Sequence, residues 1–409
     1  MNVSPNFSPS IGLMKPYFLL SSVFYVVSML WLFMINPFAQ TDDFSLVGWV
    51  HLYMIGFVMM GIFAAMAQLG PIVVETKHYA VAIFKFVWIF AIGGLASLLY
   101  GFYVDPLFLM IGGAFVLIAM IIYAIEFMLT LNNARRKTTI TNAMKMSNIF
   151  LLLGLVNGLV MALDLNGYAK IDINTLLHAH TFGLVVGFVV LLIMGISIIL
   201  IPMFGSAKRI SDNAFTPSFL TLSIGVSVML LSPSFYTQQM QQIAYGLTAL
   251  AIVLYFYQLF KMLSSRAKPT HDIWAKHMYV GFTSFFMSFL LFILYYLQHN
   301  ESILTLAMWI LLVGFFGFLI LGNFYKVVPF LVWFQVYSPL IEEQSVPMLH
   351  ELVDKKLASW QFISSLSGFF LSVVGLYIGQ IVIFYVGVTL LAFGGVMFAF
   401  NIYKILRVG

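Results

Sequence analysis

Three histidines carry the chemistry that this sequence offers. His51, His178 and His180 each lie near the start of a long apolar run, about 8–10 Å deep at 1.5 Å per helical residue. An imidazole in hydrocarbon costs free energy unless it finds a partner. Few acids lie nearby, so a metal is a good candidate for that partner; the alternative is that each ring donates to a neighbouring carbonyl, Ser or Thr and simply packs. His178 and His180 stand two residues apart, which on a helix is about 200° of rotation. They cannot converge on one ion as a zinc site demands, but they can address two centres on opposite sides of one helix. A haem asks for one or two axial imidazoles in a dry pocket with small residues beside the ring. Gly56, Gly61, Ala64 and Ala65 on one run and Gly183, Gly187 and Gly195 on the other supply small residues. The other five histidines sit in or beside loops (His78, His271, His299, His350) or at a run's end (His277) and read as interfacial or solvated.

The elements that must hold these rings are membrane spans. The chain has 409 residues, 62% hydrophobic and only 8% charged, against about 25% charged in a soluble domain; its mean hydropathy is +1.03. A soluble globule and a disordered chain are excluded, and long unbroken apolar runs exclude a β-barrel. The absence of cysteine removes disulfides, iron–sulfur clusters, thiolate haem ligation and covalent c-type haem. The net charge of +5 gives no sign of a nucleic-acid partner, and no nucleotide or hydrolase motif stands out. Apolar runs of about 20 residues predict twelve helices, at 16–37, 45–70, 79–101, 106–131, 143–164, 173–203, 215–233, 240–263, 276–298, 303–330, 358–379 and 381–404. The expected fold is an all-α polytopic membrane bundle, one transmembrane domain over 1–409.

With twelve spans, 18 of the 19 basic residues fall on the side of both termini, among them Arg135, Arg136, Lys137, Lys268, Lys355 and Lys356; only Lys170 lies opposite. The positive-inside rule then predicts cytoplasmic termini, with Asp42, Asp43, Asp105, Asp164, Asp172 and Glu301 outside. The first fifteen residues lack a basic n-region and cleavage site, so the first span is expected to act as the insertion signal. The longest inner loop is 331–357. Pro347 followed by Met348, Leu349, Leu352, Val353 and Leu357 on one stripe predicts a short amphipathic helix, either on the cytoplasmic membrane face or packed under the bundle.

The chain also repeats itself. Span 2 reads His51 to Gly56-Phe57 and ends at Pro71; span 10 reads Trp309 to Gly314-Phe315 and ends at Pro329, with the same spacing. Span 6 carries His180, Gly187-Phe188 and Pro202, and positions 51, 180 and 309 are spaced by 129 residues. Three four-helix arcs are expected, at roughly 16–131, 143–263 and 276–404, about an axis along the membrane normal, unlike inverted-repeat transporters. Asn323 to Trp333 reads as a helix broken by Pro329, with Lys326 reaching lipid phosphates and Trp333 in the aromatic belt.

On these features the chain resembles the haem-copper oxidase subunit I superfamily. It looks most like short single-subunit relatives of the C-type oxidases and like the haem- and copper-containing membrane proteins of the nitric-oxide response. The resemblance implies that His51 matches the helix-2 haem ligand and that His178 or His180 matches the helix-6 copper ligand. It implies haem and copper as cofactors and respiratory-chain subunits or an electron donor as partners. The sequence departs from the family where helix 7 reads SFLTLSIGVSVMLLSPS, without a His-His pair, and where helix 10 reads Ala307-Met308-Trp309, without His-x-His. The three-histidine copper site is thus incomplete, and Met308 reads as core. Glu126 is the one notable intramembrane acid. The leading expectation is a haem-binding membrane protein for electron transfer or for handling nitric oxide or oxygen, without a complete oxygen-reducing site and with no catalytic residue assigned. If it is an enzyme, it is an oxidoreductase of the oxidase or nitric oxide reductase type. The alternatives are a transporter for haem, copper or a small substrate, and a cofactor-free assembly partner of a respiratory complex.

Overall fold

The computed structural model describes residues 9–39, 43–134, 137–235, 238–266 and 271–407, together with Phe7. Asp42, Arg135, Arg136 and Lys268, which enter the charge pattern above, lie outside the described residues. Among the described residues there is no strand, and twelve helices are long and apolar enough to cross a membrane. They are α1 (Ile11–Met34), α2 (Phe44–Val74), α3 (Val81–Tyr103), α4 (Leu107–Asn132), α5 (Thr139–Leu165), α6 (Ile173–Gly205), α7 (Asn213–Phe235), α8 (Gln238–Ser264), α9 (Ile273–Gln298), α10 (Glu301–Leu340), α11 (Lys355–Tyr377) and α12 (Ile381–Leu406). A multi-pass helical bundle satisfies its backbone within each span, which a bilayer demands.

By its packing the chain divides into two compact units, Met1–Gln68 with His271–Gly409, and Leu69–Thr270. The cuts fall inside α2 and between α8 and α9.

Within the units the helices pack in recurring pairs. The helices α1 and α2, α5 and α6, and α9 and α10 pack as pairs, and α3–α4, α7–α8 and α11–α12 pack as hairpins. The three second helices share one construction. Each is capped by a short polar side chain that accepts backbone N–H groups: Asp43 from Ser45 and Leu46, Asp172 from Asn174, Asn300 from Ser302. Each then widens into a π-helical stretch, Leu52–Met59, Phe182–Val190 and Ile310–Gly317, before returning to α-helix. Wide turns of this kind are rare and favour functional sites. In each stretch a glycine abuts the preceding helix. A Cβ on Gly56 would stand 2.6 Å from the Phe24 ring, one on Gly187 2.9 Å from Phe150 Cβ, and one on Gly314 2.6 Å from Ser284 Oγ.

Two local expectations are corrected. Pro329 does not break α10. The helix runs on through a second wide stretch, Trp333–Tyr337, and a tight turn, Ser338–Leu340, an adjustment by which membrane helices accommodate proline. Lys326 also forms an ion pair with Asp272 at 2.6 Å. The stripe from Met348 to Leu357 is not one helix. Glu351 accepts the Met348 N–H and closes a three-residue turn, Leu349–Glu351, while Asp354 accepts the Leu357 N–H and starts α11. Two caps within seven residues divide the stripe between two elements.

The glycine contacts make a direct prediction. In Gly187→Ala the new methyl also stands 2.7 Å from Val226 Cγ1, a stiff side chain. The variant should lose about 1–3 kcal/mol of stability. Gly93→Ala, which meets nothing within 4 Å, should be neutral or gain up to about 1 kcal/mol. Equal melting temperatures for the two variants in detergent would contradict the close packing at Gly187.

Candidate functional site

The spacing of glycine and proline sets the register of the three second helices. Gly56, Gly187 and Gly314 stand 15 residues before Pro71, Pro202 and Pro329. In this register His51 matches Phe182 and Trp309, and His180 matches Trp49 and Ala307. The equal spacing of 51, 180 and 309 is therefore not the structural register, because His180 stands two residues early.

The structure gives that shift a meaning. Trp49 donates its indole N–H to the Ser28 carbonyl on α1, at 2.8 Å. His180 donates Nδ1–H to the Gly154 carbonyl on α5, also at 2.8 Å. In the third pair the direction reverses, and Ser288 on α9 donates its hydroxyl to the Ala307 carbonyl at 3.0 Å. Equivalent positions are thus clasped three times, once per helix pair. His180 is the imidazole member of the set. A carbonyl only accepts, so Nδ1 carries the proton and Nε2 carries the lone pair. The ring lies against Gly158 of α5, where a Cβ would stand 2.6 Å from Cε1. Backbone anchoring of one ring nitrogen is the usual support for a metal-ligating histidine.

The other two candidates are held differently. His51 Nδ1 donates to the Val47 carbonyl one turn back, at 2.8 Å, which likewise leaves Nε2 as the basic nitrogen. His178 Nδ1 pairs with the Tyr245 hydroxyl on α8, at 3.2 Å. His178 and His180 therefore engage α8 and α5 respectively and do not share a centre. His51 belongs to one compact unit, and His178 and His180 belong to the other. Among the described residues no three histidine or acidic side chains gather to hold a metal ion.

The interface of α2 with α10 can be tested against a haem. It is filled by rings: Trp49 stacks on Tyr53 at 5.5 Å and on Trp309 at 5.7 Å, and Trp309 meets Phe384 at 5.1 Å. The Tyr53 hydroxyl donates to the Leu312 carbonyl at 3.0 Å. A macrocycle does not fit between these helices. Two residues from Trp49, His51 leaves α2 on the opposite side. At His180 and His51 the donor chemistry, a neutral anchored imidazole with a basic Nε2, fits an axial ligand.

Two histidines read from the sequence as interfacial or solvated, His277 and His78, have buried side chains. His277 is fully buried, donates Nδ1–H to the Ile273 carbonyl at 2.8 Å, and sits among Phe318, Tyr325 and Phe362. Its signal was the stripe His277, Gly281, Ser284, Ser288, which marks the packed face of α9. His78 Nδ1 meets Glu126 Oε1 at 2.9 Å, with both side chains buried. The same carboxylate oxygen accepts the Thr130 hydroxyl and the Ala80 N–H. The pair fastens the segment before α3 onto α4, and nothing local links positions 48 residues apart.

Asp172, just outside the span, caps the helix that carries both His178 and His180. Hydrogen bonds from the Thr175 hydroxyl and the Asn174 N–H hold its carboxyl below the usual aspartate range. A carboxyl lowered on folding adds stability above its ordinary value and loses it as pH falls through the native value. Asp172→Ala should cost about 1 kcal/mol at neutral pH. The gap to the parent should narrow in acid; a gap that is constant with pH would show that the ionised cap contributes nothing.

No protein-family model matches the chain, and no curated protein matches it in sequence.

Proposed function

We propose that this multi-pass membrane protein binds haem at two separate sites, with His180 as axial ligand in one compact unit and His51 in the other, and uses it for one-electron transfer or for handling a diatomic gas. The observation that carries the reading is the His180 clasp: Nδ1–H bound to the Gly154 carbonyl and the ring seated against a glycine. His51, tied to Val47 at the same nitrogen, offers a second ligand of the same kind. A bound haem would supply reversible iron redox chemistry and an open coordination site for a gas. The protein's part is to orient each imidazole through Nδ1 and to surround it with apolar helix faces that exclude water. In this reading copper is a candidate partner of His178, the termini are cytoplasmic, the membrane is a bacterial inner membrane, and the electron donor is a respiratory-chain component.

An absorption spectrum tests the proposal. Protein purified in mild detergent should show a Soret band that sharpens with dithionite. His180→Ala and His51→Ala should each remove about half of that band per protein, and the double variant should abolish it, because each removes one axial ligand. Tyr245→Phe, which alters only the neighbour of His178, should retain it. A colourless protein, or a band indifferent to both histidine variants, would overturn the proposal. Metal-dependent uptake into proteoliposomes by a colourless protein would point to transport instead.

A further inference from the structure

An apolar cleft of about 80 Å³, partly open to its surroundings, lies at the N-terminal ends of α2 and α10. Its walls include Leu32 of α1, Trp49 and Val50 of α2, Trp309 and Leu312 of α10, and Phe384 of α12. Thr305, Met308, Pro37, Leu46 and Leu376 complete the lining. It sits where the wide turns of both helices begin, at Leu52 and Ile310.

Every polar side-chain hydrogen on this wall is already committed. The Trp49 indole N–H is bound to the Ser28 carbonyl, the Trp309 indole N–H to the Ser372 hydroxyl at 2.9 Å, and the Thr305 hydroxyl to the Glu301 carbonyl at 3.1 Å. Met308 adds only a thioether, a weak acceptor. A water molecule needs two to four polar partners, and an apolar cavity without them stays dry. A dry cavity of about 150 Å³ accepts benzene or xenon; one of roughly half that volume excludes a six-membered ring and admits smaller guests. The end of a lipid chain would gain the burial of only a few methylenes against the entropy of being ordered there.

We propose that this cavity is a binding site for an apolar molecule of gas size, a diatomic or noble gas that partitions into it from the bilayer. The rings of Trp49, Trp309 and Phe384 form its contact surface, and Leu312 sets its size. The site is built from residues of one compact unit and does not depend on haem binding by His180 or His51.

Xenon is the probe, applied under pressure to crystals of the full chain or followed by xenon NMR in detergent. Xenon should occupy the cavity in the parent protein, against Trp49 and Trp309. Leu312→Phe should abolish that occupancy. Leu312→Ala, which enlarges the space and does not strain the fold by overpacking, should retain xenon and gain benzene binding. An empty cavity under pressure, ordered water inside it, or density continuous with an acyl chain would each overturn the proposal. A haem spectrum lost or kept in the histidine variants would leave this result unchanged, so the two proposals fail separately.

Discussion

Inside a bilayer a polar hydrogen that leaves the surface must find an acceptor in the protein, and the three clasps between paired helices are where this chain meets that demand. A ring or hydroxyl hydrogen ends on a backbone carbonyl of the neighbouring helix at matching positions: Trp49 on Ser28, His180 on Gly154, Ser288 on Ala307. Each bond is modest in net terms, about 0.5–1.5 kcal/mol. Its alternative is an unpaired polar group in low dielectric, which costs more. The glycines that let helices approach, the caps that start them and the wide turns that follow all serve to set this register.

The register changes the meaning of the histidines. His180 occupies the position that α2 gives to an indole, so its first duty is to join α6 to α5. That duty also decides its tautomer, because a carbonyl acceptor keeps the proton on Nδ1. Structural clasp and ligand-ready imidazole are consequences of one hydrogen bond. His51 stands at the position that α10 gives to Trp309, and the α2–α10 interface is closed by stacked rings.

The spans were legible because hydrocarbon thickness imposes a length and a composition that no other segment shares. All twelve form, and the repeat of Gly-Phe and proline was visible before any coordinates. The wide turns were not legible, since Leu52–Met59 and Ile310–Gly317 have the composition of ordinary apolar helix. Nor was the half-turn offset of His180. An equal spacing of 129 residues suggested equivalence, whereas packing aligns the glycines at 56, 187 and 314. The end of α10 was misread because Pro329 was weighed alone, without the widening of the backbone downstream of it. The burial of His277 and of the His78–Glu126 pair escaped because depth along a span says nothing about which face is turned inward.

The most direct measurement is nitrogen-15 NMR of histidine-labelled protein in lipid, with the His180 ring assigned by its loss in His180→Gln. The His180 signal should report a neutral ring protonated at Nδ1 and unprotonated at Nε2. A proton on Nε2, or a doubly protonated ring near neutral pH, would contradict the clasp and with it the ligand role.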